Sequence, residues 1–283
     1  MSNAMSKITI TQLQQMKQRG EKITALTAYD FVTAALLERA GVDIALVGDS
    51  LGMVALGYES TVPVTLREMI HHCKAVRRAT HNAFVIGDMP FLSYQVSPEE
   101  AVRNAGRFIK EGGCDAVKIE GGLEAVPAVA ALTRAGMAVM GHVGLTPQSA
   151  VRMGGYRVQG RDEDSAQRIL DAALALEQAG CVLMVLEAVP EDLAARVTEA
   201  LEIPTLGIGA GVHCDGQVLV LPDLLGLGSG PVPKFVKKYA NLGDQAVDAI
   251  ERFCAEVKGG EFPTDAHSYH STRSDRTRTS SSG

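Results

Sequence analysis

Acidic residues stand at the carboxyl ends of four short apolar segments in this chain of 283 residues. They are Asp49, Asp88, Glu120 and Glu187, and a single lysine, Lys118, lies two residues before Glu120. Residues two apart in a strand point to the same side, so Lys118 and Glu120 share a face. A buried carboxylate is costly unless it is paired or bound to a metal. Four acids against one cation therefore indicate a hard divalent cation, and Mg²⁺ suits carboxylate ligands.

A purely structural interpretation of the same acids stays open at this point. Each acid could N-cap the helix that follows it or pair with a nearby arginine, without any metal. Two other polar residues lie at predicted strand ends, Ser50 directly after Asp49 and His142 directly after Gly141. They extend the set of groups that one site could use.

Four further motifs each have a functional and a structural interpretation. The segment 207–211 (GIGAG) could bind phosphate, as loops late in such folds often do, or form a tightly packed turn. The segment 154–161 (GGYRVQGR) could close over a site or be a plain long loop. The pair 71–72 (HH) is interpreted as a solvated helical face. The triplet 213–215 (HCD) could suggest a metal cluster but is interpreted as loop surface.

The elements that must position these residues follow from the hydrophobic pattern. Short segments rich in Val, Ile, Leu and Ala lack strict polar alternation, which is typical of strands buried on both faces of a parallel sheet. They predict strands at 23–27, 43–48, 84–88, 115–120, 137–142, 181–187, 204–208 and 218–227. Amphipathic segments between them predict helices at 10–19, 30–40, 64–79, 97–111, 123–135, 162–179, 190–200 and 234–258. Several of these helices end in a glycine, such as Gly41 and Gly180, and one starts at the N-cap pair Ser97-Pro98.

Eight strands with helices between them predict an α/β fold, a single (β/α)8 TIM barrel over residues 5–270. A short N-terminal helix and a long C-terminal helix flank it. All strand carboxyl ends of such a barrel meet on one face, where active sites lie. A doubly wound sheet is the main alternative. It usually has fewer strands and a Gly-rich first turn, whereas the first strand here is followed by the segment 27–30 (TAYD).

Composition and charge exclude several classes of function. A net charge of −6 and a pI near 5.7 argue against a general nucleic-acid binder or a polybasic membrane binder. With 7 Phe, 6 Tyr and no Trp, stacking platforms for single strands are not expected either. No apolar run approaches the ~20 residues that span a bilayer.

The cysteines and the two ends of the chain complete the picture. Five cysteines without a C-x-x-C pair predict buried free thiols in a reducing cytoplasm, not a disulfide framework or a zinc site. Residues 1–4 (MSNA), before a second methionine, are typical of an expression-tag remnant, and we expect no signal peptide. Residues 271–283 contain no apolar residue and are expected to be disordered.

The chain resembles the ketopantoate hydroxymethyltransferase family from about residue 8 to His270. The resemblance rests on TAYD at 27–30, VGDSLGMV at 47–54, GDMPF at 87–91, VKIEGG at 117–122, GHVGLTPQS at 141–149, GGYRVQGR at 154–161, VLEAVP at 185–190 and GIGAG at 207–211. It implies a barrel of the phosphoenolpyruvate/pyruvate superfamily, a homodecamer of five dimers and a cytoplasmic enzyme. The implied reaction moves a hydroxymethyl group from 5,10-methylenetetrahydrofolate to the 2-oxo acid 3-methyl-2-oxobutanoate. That is the first step towards pantothenate.

The resemblance also assigns roles to residues of this sequence. It implies that Asp49 and Asp88 bind Mg²⁺ directly and that Glu120 joins the metal shell through water. Substrate contacts are implied for Asp49, Asp88, Ser50, Lys118 and His142, and Glu187 is implied as the catalytic base. In that scheme a metal-stabilised enolate forms when the substrate loses its C3 proton. The family's folate contacts cannot be carried over residue by residue.

Two other functions stay open from the sequence. A superfamily relative that makes or breaks a C–C bond in a 2-oxo acid, such as a Mg²⁺-dependent lyase, would share the metal acids and need no folate. A barrel that binds a metabolite without turnover would bind its ligand but would not exchange the C3 proton.

Overall fold

A computed structural model describes residues 7–228 and 232–270. Its eight parallel strands form a closed barrel in sequence order, which confirms the predicted (β/α)8 fold. The strands are β1 (Ile23–Thr27), β2 (Ile44–Val47), β3 (Phe84–Asp88), β4 (Ala116–Glu120), β5 (Val139–Gly144), β6 (Leu183–Glu187), β7 (Thr205–Ile208) and β8 (Gly216–Leu219). The barrel closes where Ile23 of β1 pairs with Gly216 of β8. The predicted remnant at 1–4 and tail at 271–283 lie outside the described residues.

Helices separate most of the strands. They are α1 (Ile10–Arg19), α2 (Phe31–Ala40), α3 (Leu51–Val54), α4 (Leu66–Ala79), α5 (Pro98–Arg107), α6 (Val126–Arg134), α7 (Glu163–Gln178), α8 (Glu191–Ala200), α9 (Leu221–Leu225) and α10 (Leu242–Gly259). A π-helical turn (Phe108–Gly112) continues α5, and short 3₁₀ turns cover Leu123–Ala125, Pro147–Ser149 and Asp265–His267. As predicted, Ser97 accepts a bond from Glu100 N at the start of α5. Gly41 ends α2 with a left-handed φ of 75°.

Apolar side chains form two layers. The first fills the barrel interior with residues such as Ile23, Ile44, Phe84 and Leu183, which lie at or near the start of their strands. Leu13 of α1 is fully buried in that layer, so α1 covers the amino-terminal end of the barrel. The second layer lies between the strands and the surrounding helices. Because both faces of the strands are covered, their apolar runs are nearly continuous. The opposite end of the barrel is left for polar side chains.

Three details differ from the sequence-based predictions. The eighth strand is Gly216–Leu219 and not 218–227, because residues 221–225 form the helix α9. Pro222 fits the first turn of a helix but would interrupt a central strand. The last helix starts at Leu242 rather than 234, since Val236 N bonds to Pro233 O and Tyr239 N bonds to Leu224 O in the preceding segment. β5 extends to Gly144, two residues beyond the predicted end.

Two further findings concern the surface. Four of the cysteines are buried and unpaired, as predicted, but Cys254 on α10 is exposed. No helix in the described ranges is long and apolar enough to cross a membrane.

Candidate functional site

The open end of the barrel collects the polar residues that the sequence singled out. Asp49 follows β2, and Asp88 and Glu187 are the last residues of β3 and β6. The buried ones are Asp49, Asp88, Lys118, Glu120 and His142, each at most 5% exposed, whereas the Glu187 side chain is 17% exposed. Burial of this many charged groups in one place is expensive, so their contacts must account for it.

Lys118 and two carboxylates form the centre of the site. Lys118 Nζ donates to Asp88 Oδ1 at 2.6 Å, and both side chains are almost fully buried. The other oxygen of the same carboxylate, Asp88 Oδ2, accepts from the backbone N–H of Asp49 at 3.1 Å. Asp88 is therefore bonded on both oxygens, and Asp49 is held beside it with its own carboxylate bonded elsewhere.

The charges of this cluster shift its pKa values. Burial, and then the neighbouring Asp88 carboxylate, raise the pKa of Asp49 to about 7. Burial alone would lower the pKa of Lys118, but the carboxylates of Asp88, Asp49 and Glu120 outweigh it and raise that pKa. Burial also raises the pKa of Glu120 well above its usual range. Lys118 therefore stays protonated, and its one positive charge does not neutralise all of the ionised acids around it.

Gln148, which the sequence analysis missed, connects the acids to each other. Its Nε2 donates to Asp49 Oδ2 at 3.0 Å and to Met89 O at 2.9 Å. Its backbone N–H donates to Glu120 Oε1 at 2.7 Å, and its Oε1 accepts from Tyr94 OH at 2.8 Å. One buried residue in the 3₁₀ turn after β5 thus holds both Asp49 and Glu120. The only sequence signal was its place in the TPQS segment.

His142 lies between two carboxylates. Its Nδ1 is 3.7 Å from Glu120 Oε2, and its Nε2 is 3.2 Å from Glu187 Oε2. Neither ring nitrogen has a partner with hydrogen-bond geometry in the described structure, and Glu120 Oε2 lacks one too. Buried polar atoms without partners are rare in native proteins and point to a bound group or to water.

The backbone after Glu187 is held in a strained conformation. Ala188 has a φ of 47°, in the left-handed region that residues other than glycine seldom adopt. Two backbone bonds fix it, from Ala188 N to Ile208 O and from Gln159 N to Ala188 O, both 2.9 Å long. Such strain clusters at functional sites, where the surrounding structure imposes it. Here it sets the direction in which the chain leaves Glu187.

Ser50 belongs to the rim of the same site. Its Oγ lies 2.9 Å from the hydroxyl of Tyr29, in the TAYD segment after β1, and the two share a hydrogen bond. His72 Nδ1 lies 2.5 Å from Tyr29 O. The prediction that the pair 71–72 forms a solvated face is therefore wrong for His72, which is half-buried, and holds for the exposed His71.

The segment 154–161 lies across the mouth of the barrel. Tyr156 OH donates to Met53 Sδ at 3.7 Å, which links this segment to α3 on another side of the opening. Partial burial raises the pKa of Tyr156, and the nearby carboxylates of Asp49 and Glu187 raise it further. Tyr156 is still 54% exposed. The aromatic ring therefore borders both the site and the solvent.

The structural interpretation of the four acids is not supported by these contacts. Over residues 7–228 and 232–270, none of the four accepts an N-cap bond or pairs with an arginine. The triplet 213–215 forms no metal cluster: His213 is mostly exposed, and Asp215 binds Lys17 Nζ at 2.9 Å. In the segment 207–211, an added Cβ on Gly209 would lie 2.7 Å from Phe235, which favours the tight-turn interpretation.

The donor set at the mouth fits a divalent metal of the Mg²⁺ kind. No three or more Asp, Glu, His or Cys side chains in the described chain form a ready-made metal cage. Mg²⁺ does not need one, since it commonly takes one or two carboxylates and keeps waters and substrate oxygens as its other ligands. Asp49 and Asp88 are adjacent through the Asp49 N–H bond, and Glu120 Oε2 is a further buried carboxylate oxygen without a hydrogen-bond partner in the described structure. Three buried acids against one lysine leave negative charge that a divalent cation would offset.

Comparison of the whole sequence with protein-family models matches residues 7–265 to the family described as ketopantoate hydroxymethyltransferase. A protein from Moorella thermoacetica, named 3-methyl-2-oxobutanoate hydroxymethyltransferase, is 60% identical; the match covers 93% of this chain and 98% of that protein. A protein from Syntrophus aciditrophicus with the same name is 56% identical, and the match covers 93% of this chain and 97% of that protein.

Solved structures with a similar fold belong to more distant proteins. A phosphonopyruvate hydrolase, in complex with oxalate and Mg²⁺, superposes with a TM-score of 0.60 at 13% identity, covering 92% of this chain and 93% of that one. A 2,3-dimethylmalate lyase of the PEP mutase/isocitrate lyase superfamily superposes with a TM-score of 0.56 at 17% identity, and the match covers 90% of this chain and 88% of that one. At such low identity the likeness shows a shared barrel fold.

Proposed function

This chain belongs to the ketopantoate hydroxymethyltransferase family, and on that premise we propose that it transfers a hydroxymethyl group from 5,10-methylenetetrahydrofolate to 3-methyl-2-oxobutanoate. The substrate loses its C3 proton, and C3 bonds to the methylene carbon that the folate donates. That carbon gives up its bonds to N5 and N10 of the folate and takes its hydroxyl group from water, while the C3 proton and the second proton of the water balance the two N–H groups of tetrahydrofolate. The products are 2-dehydropantoate and tetrahydrofolate. The observation that carries the proposal is the buried cluster of Asp49, Asp88, Lys118 and Glu120 opposite the partly exposed Glu187.

Asp49 and Asp88 are the proposed Mg²⁺ ligands, with Glu120 in the outer shell through water. The chemistry that Mg²⁺ supplies when bound is to stabilise negative charge on the keto oxygen of the substrate. Gln148 orients two of these acids, because its amide N–H₂ holds Asp49 and its backbone N–H holds Glu120. The carboxylates are thus already oriented before the metal binds, which lowers the entropy lost on binding.

Ser50, Lys118 and His142 are the proposed substrate contacts. Lys118 is a protonated donor inside the barrel, and a cation there adds to the stabilisation of an oxyanion. Ser50 lies at the start of α3 and shares its hydroxyl with Tyr29, so its second hydrogen bond is free to reach a carboxylate. His142 offers two ring nitrogens without hydrogen-bonded partners in the described structure.

Glu187 is the proposed base that removes the C3 proton. It stands on β6, while Asp49, Asp88 and Glu120 stand on β2, β3 and β4 or directly after them. A carboxylate on this separate wall can approach C3 without joining the metal ligands. It is also the more exposed of the acids, which allows the proton to leave to solvent after each turnover.

Proton exchange without folate tests this function directly. The protein is incubated with Mg²⁺ and 3-methyl-2-oxobutanoate in D₂O, and the C3 proton is followed by NMR. We expect exchange in the parent protein and its loss in Glu187→Gln with substrate binding retained. Glu191→Gln, an exposed acid four residues later on α8, is the matched control and should exchange normally. Absence of exchange with every divalent metal tried would rule out the enolisation step.

Adding 5,10-methylenetetrahydrofolate separates the remaining functions. Formation of 2-dehydropantoate supports the transferase. Exchange without folate-dependent product would indicate a lyase-type relative, and tight substrate binding with no exchange would indicate a metabolite-binding barrel.

The wider setting is proposed on the same premise. We infer a homodecamer of five dimers, a place at the first step towards pantothenate, and a cytoplasmic location. The described surface supports self-association: α10 has no buried residue, and Val247, Ile250 and Phe253 on it are each more than half exposed. Sedimentation velocity measures the oligomer directly.

A further inference from the structure

Ser50 stands at the N-terminal end of α3 but does not cap that helix. A serine in this position usually accepts a hydrogen bond from a backbone N–H of the first helical turn, and Ser50 makes no such bond. Its Oγ lies instead 2.9 Å from the hydroxyl of Tyr29. Since capping does not use the Ser50 hydroxyl, this group is available to a ligand.

The Ser50 hydroxyl lies on the side of the carboxylate cluster. A Cβ added to Gly48 would be 2.9 Å from Ser50 Oγ and 3.9 Å from Asp88 Oδ2. The two oxygens therefore flank the same space over Gly48, where a larger residue would collide with the serine. A 2-oxo acid bound beside Asp88 thus lies close to the Ser50 hydroxyl, which suits the substrate contact proposed for that residue.

Tyr29 is held in place by contacts on both of its sides. It is only 5% exposed. Before it, Ala28 N donates to Leu46 O at 3.0 Å, and after it, Asp30 N-caps α2. The ring of His72 bonds to the backbone carbonyl of Tyr29. The phenol hydroxyl therefore has little freedom to move away from Ser50.

The directions of the hydrogen bonds at Tyr29 follow from the groups at the two ends of the series. A carboxylate only accepts hydrogen bonds, so Ser50 must use its single O–H to donate to a substrate carboxylate. Ser50 Oγ then accepts from Tyr29, which leaves the phenol oxygen free to accept from Thr27, its other hydrogen-bonded side chain. At the far end, Thr27 Oγ1 accepts from the backbone N–H of Leu221 at 3.0 Å. A backbone N–H can only donate, so all of these bonds can run in one direction, towards the substrate.

We propose that Tyr29 is a positioning residue, which directs the Ser50 O–H to the substrate carboxylate through a hydroxyl relay of Thr27, Tyr29 and Ser50. The assignment rests on the proposed function, in which Ser50 contacts the 2-oxo acid. Without the Tyr29 hydroxyl, the Ser50 O–H could rotate, and ordering it on binding would cost affinity. Aligned hydrogen bonds also polarise one another, which makes the last donor stronger.

Tyr29 remains a donor at neutral pH. Burial raises the pKa of Tyr29, and the nearby carboxylates of Asp223 and Asp49 raise it further. Hydrogen bonds to Ser50 and Thr27 oppose this rise in the pKa without cancelling it. The phenol therefore keeps the proton that the hydroxyl relay needs.

A double-variant comparison tests whether Tyr29 acts through Ser50. Binding of 3-methyl-2-oxobutanoate to the Mg²⁺-loaded protein is measured by calorimetry for Tyr29→Phe, Ser50→Ala and the double variant. We expect Kd to rise about tenfold in each single variant. The double variant should show about the same Kd as Ser50→Ala alone, because a residue that acts through another adds nothing once the other is gone.

Two controls separate positioning from a general loss of structure. Tyr58→Phe also removes a bonded phenol hydroxyl, since Tyr58 OH donates to Glu68 Oε1 at 2.7 Å, and this variant should bind the substrate like the parent. With saturating substrate, the rate of C3 proton exchange in D₂O should change by less than about threefold in Tyr29→Phe, because Glu187 is untouched. A larger fall in that rate would mean that Tyr29 supports the whole site, and the assignment would be wrong.

A second pair of variants interrupts the hydroxyl relay one step earlier and leaves Tyr29 in place. Thr27→Val removes the hydroxyl that bonds to Tyr29, so Kd for the 2-oxo acid should rise by about threefold. Thr27→Ser keeps a hydroxyl at the same position and should restore the parent Kd.

The hydroxyl relay and the transferase proposal fail in different ways. A parent-like Kd in Tyr29→Phe, or a double variant whose Kd rises about a hundredfold, overturns the relay and leaves the transferase intact. If Tyr29→Phe does not fold, a parent-like Kd in Thr27→Val overturns the relay instead. A parent protein that binds the 2-oxo acid but neither exchanges its C3 proton nor forms product overturns the transferase, and the same Kd values still decide the relay.

Discussion

Replacing Asp49 by asparagine should make the metal-free protein more stable while removing a metal ligand. Asp49 is buried beside Asp88, and burial followed by that neighbour raises its pKa from 3.8 to about 7. The asparagine would keep an oxygen for the Gln148 N–H and a backbone N–H for Asp88, so both hydrogen bonds of Asp49 to these two residues are preserved. Only the unfavourable charge disappears.

The size of this stabilisation and its dependence on pH follow from the raised pKa of Asp49. At about 1.4 kcal/mol for each pKa unit, ionised Asp49 lowers the free energy of unfolding by at most about 4 kcal/mol. Below pH ~4 the carboxyl is protonated in both the folded and unfolded chains, so it carries no penalty. Between pH ~4 and ~7 the unfolded chain loses the proton first, so stability falls as pH rises, and the penalty is complete above pH ~7.

Urea unfolding with EDTA at pH 4.5 and pH 8 measures the difference. We expect the free energy of unfolding of Asp49→Asn to exceed that of the parent by roughly 2–4 kcal/mol at pH 8 and by less than ~1 kcal/mol at pH 4.5. Asp248→Asn, at an exposed position on α10, should stay within ~0.5 kcal/mol of the parent at both pH values. Mg²⁺ at 100 times its Kd should add about 2.7 kcal/mol to the parent and much less to the variant. A variant less stable than the parent at both pH values refutes the reasoning.

Two further substitutions test how the site is supported. Gln148→Leu leaves Asp49 Oδ2 and Met89 O without their donor. We therefore expect the free energy of unfolding, measured with urea, to fall by about 2–4 kcal/mol. If Gln148 also positions the acids, Mn²⁺ binding followed by EPR should weaken, which a purely structural role would not require. Gly87→Ala puts a Cβ 2.4 Å from Phe108 Cδ1. We expect the free energy of unfolding to fall by roughly 1–3 kcal/mol, and a second substitution, Phe108→Leu, to restore part of it. Full stability of Gly87→Ala alone would contradict this packing.

Much of the fold could be predicted from the sequence, because seven strands carry apolar runs bounded by polar or glycine residues. β8 was misplaced for a physical reason. Its four residues, Gly216–Leu219, include a glutamine, whereas the following LPDLLG segment is more apolar but forms α9. Hydrophobicity alone does not distinguish a short buried strand from a short helix. Pro222 was the available signal, and it favours the helix.

The acids of the site could be predicted because position in the barrel determines them: a polar residue at a strand's carboxyl end points into the mouth. Gln148 lies outside this rule. It follows β5 by four residues, within a 3₁₀ turn, and its role comes from bonds to Asp49, Met89 and Tyr94 that only the tertiary structure brings together.

Closure of the barrel also has a consequence for how the chain folds. β1 pairs with β8 although nearly all of the barrel sequence lies between them. Until β8 is in place, β1 and β7 each present a row of unpaired backbone N–H and C=O groups, and exposed strand edges promote aggregation. Such long-range pairing also slows folding. A chain that stops before Gly216 should therefore aggregate rather than form a smaller stable sheet, and a chain still being synthesised carries the same exposed edges until its eighth strand is available.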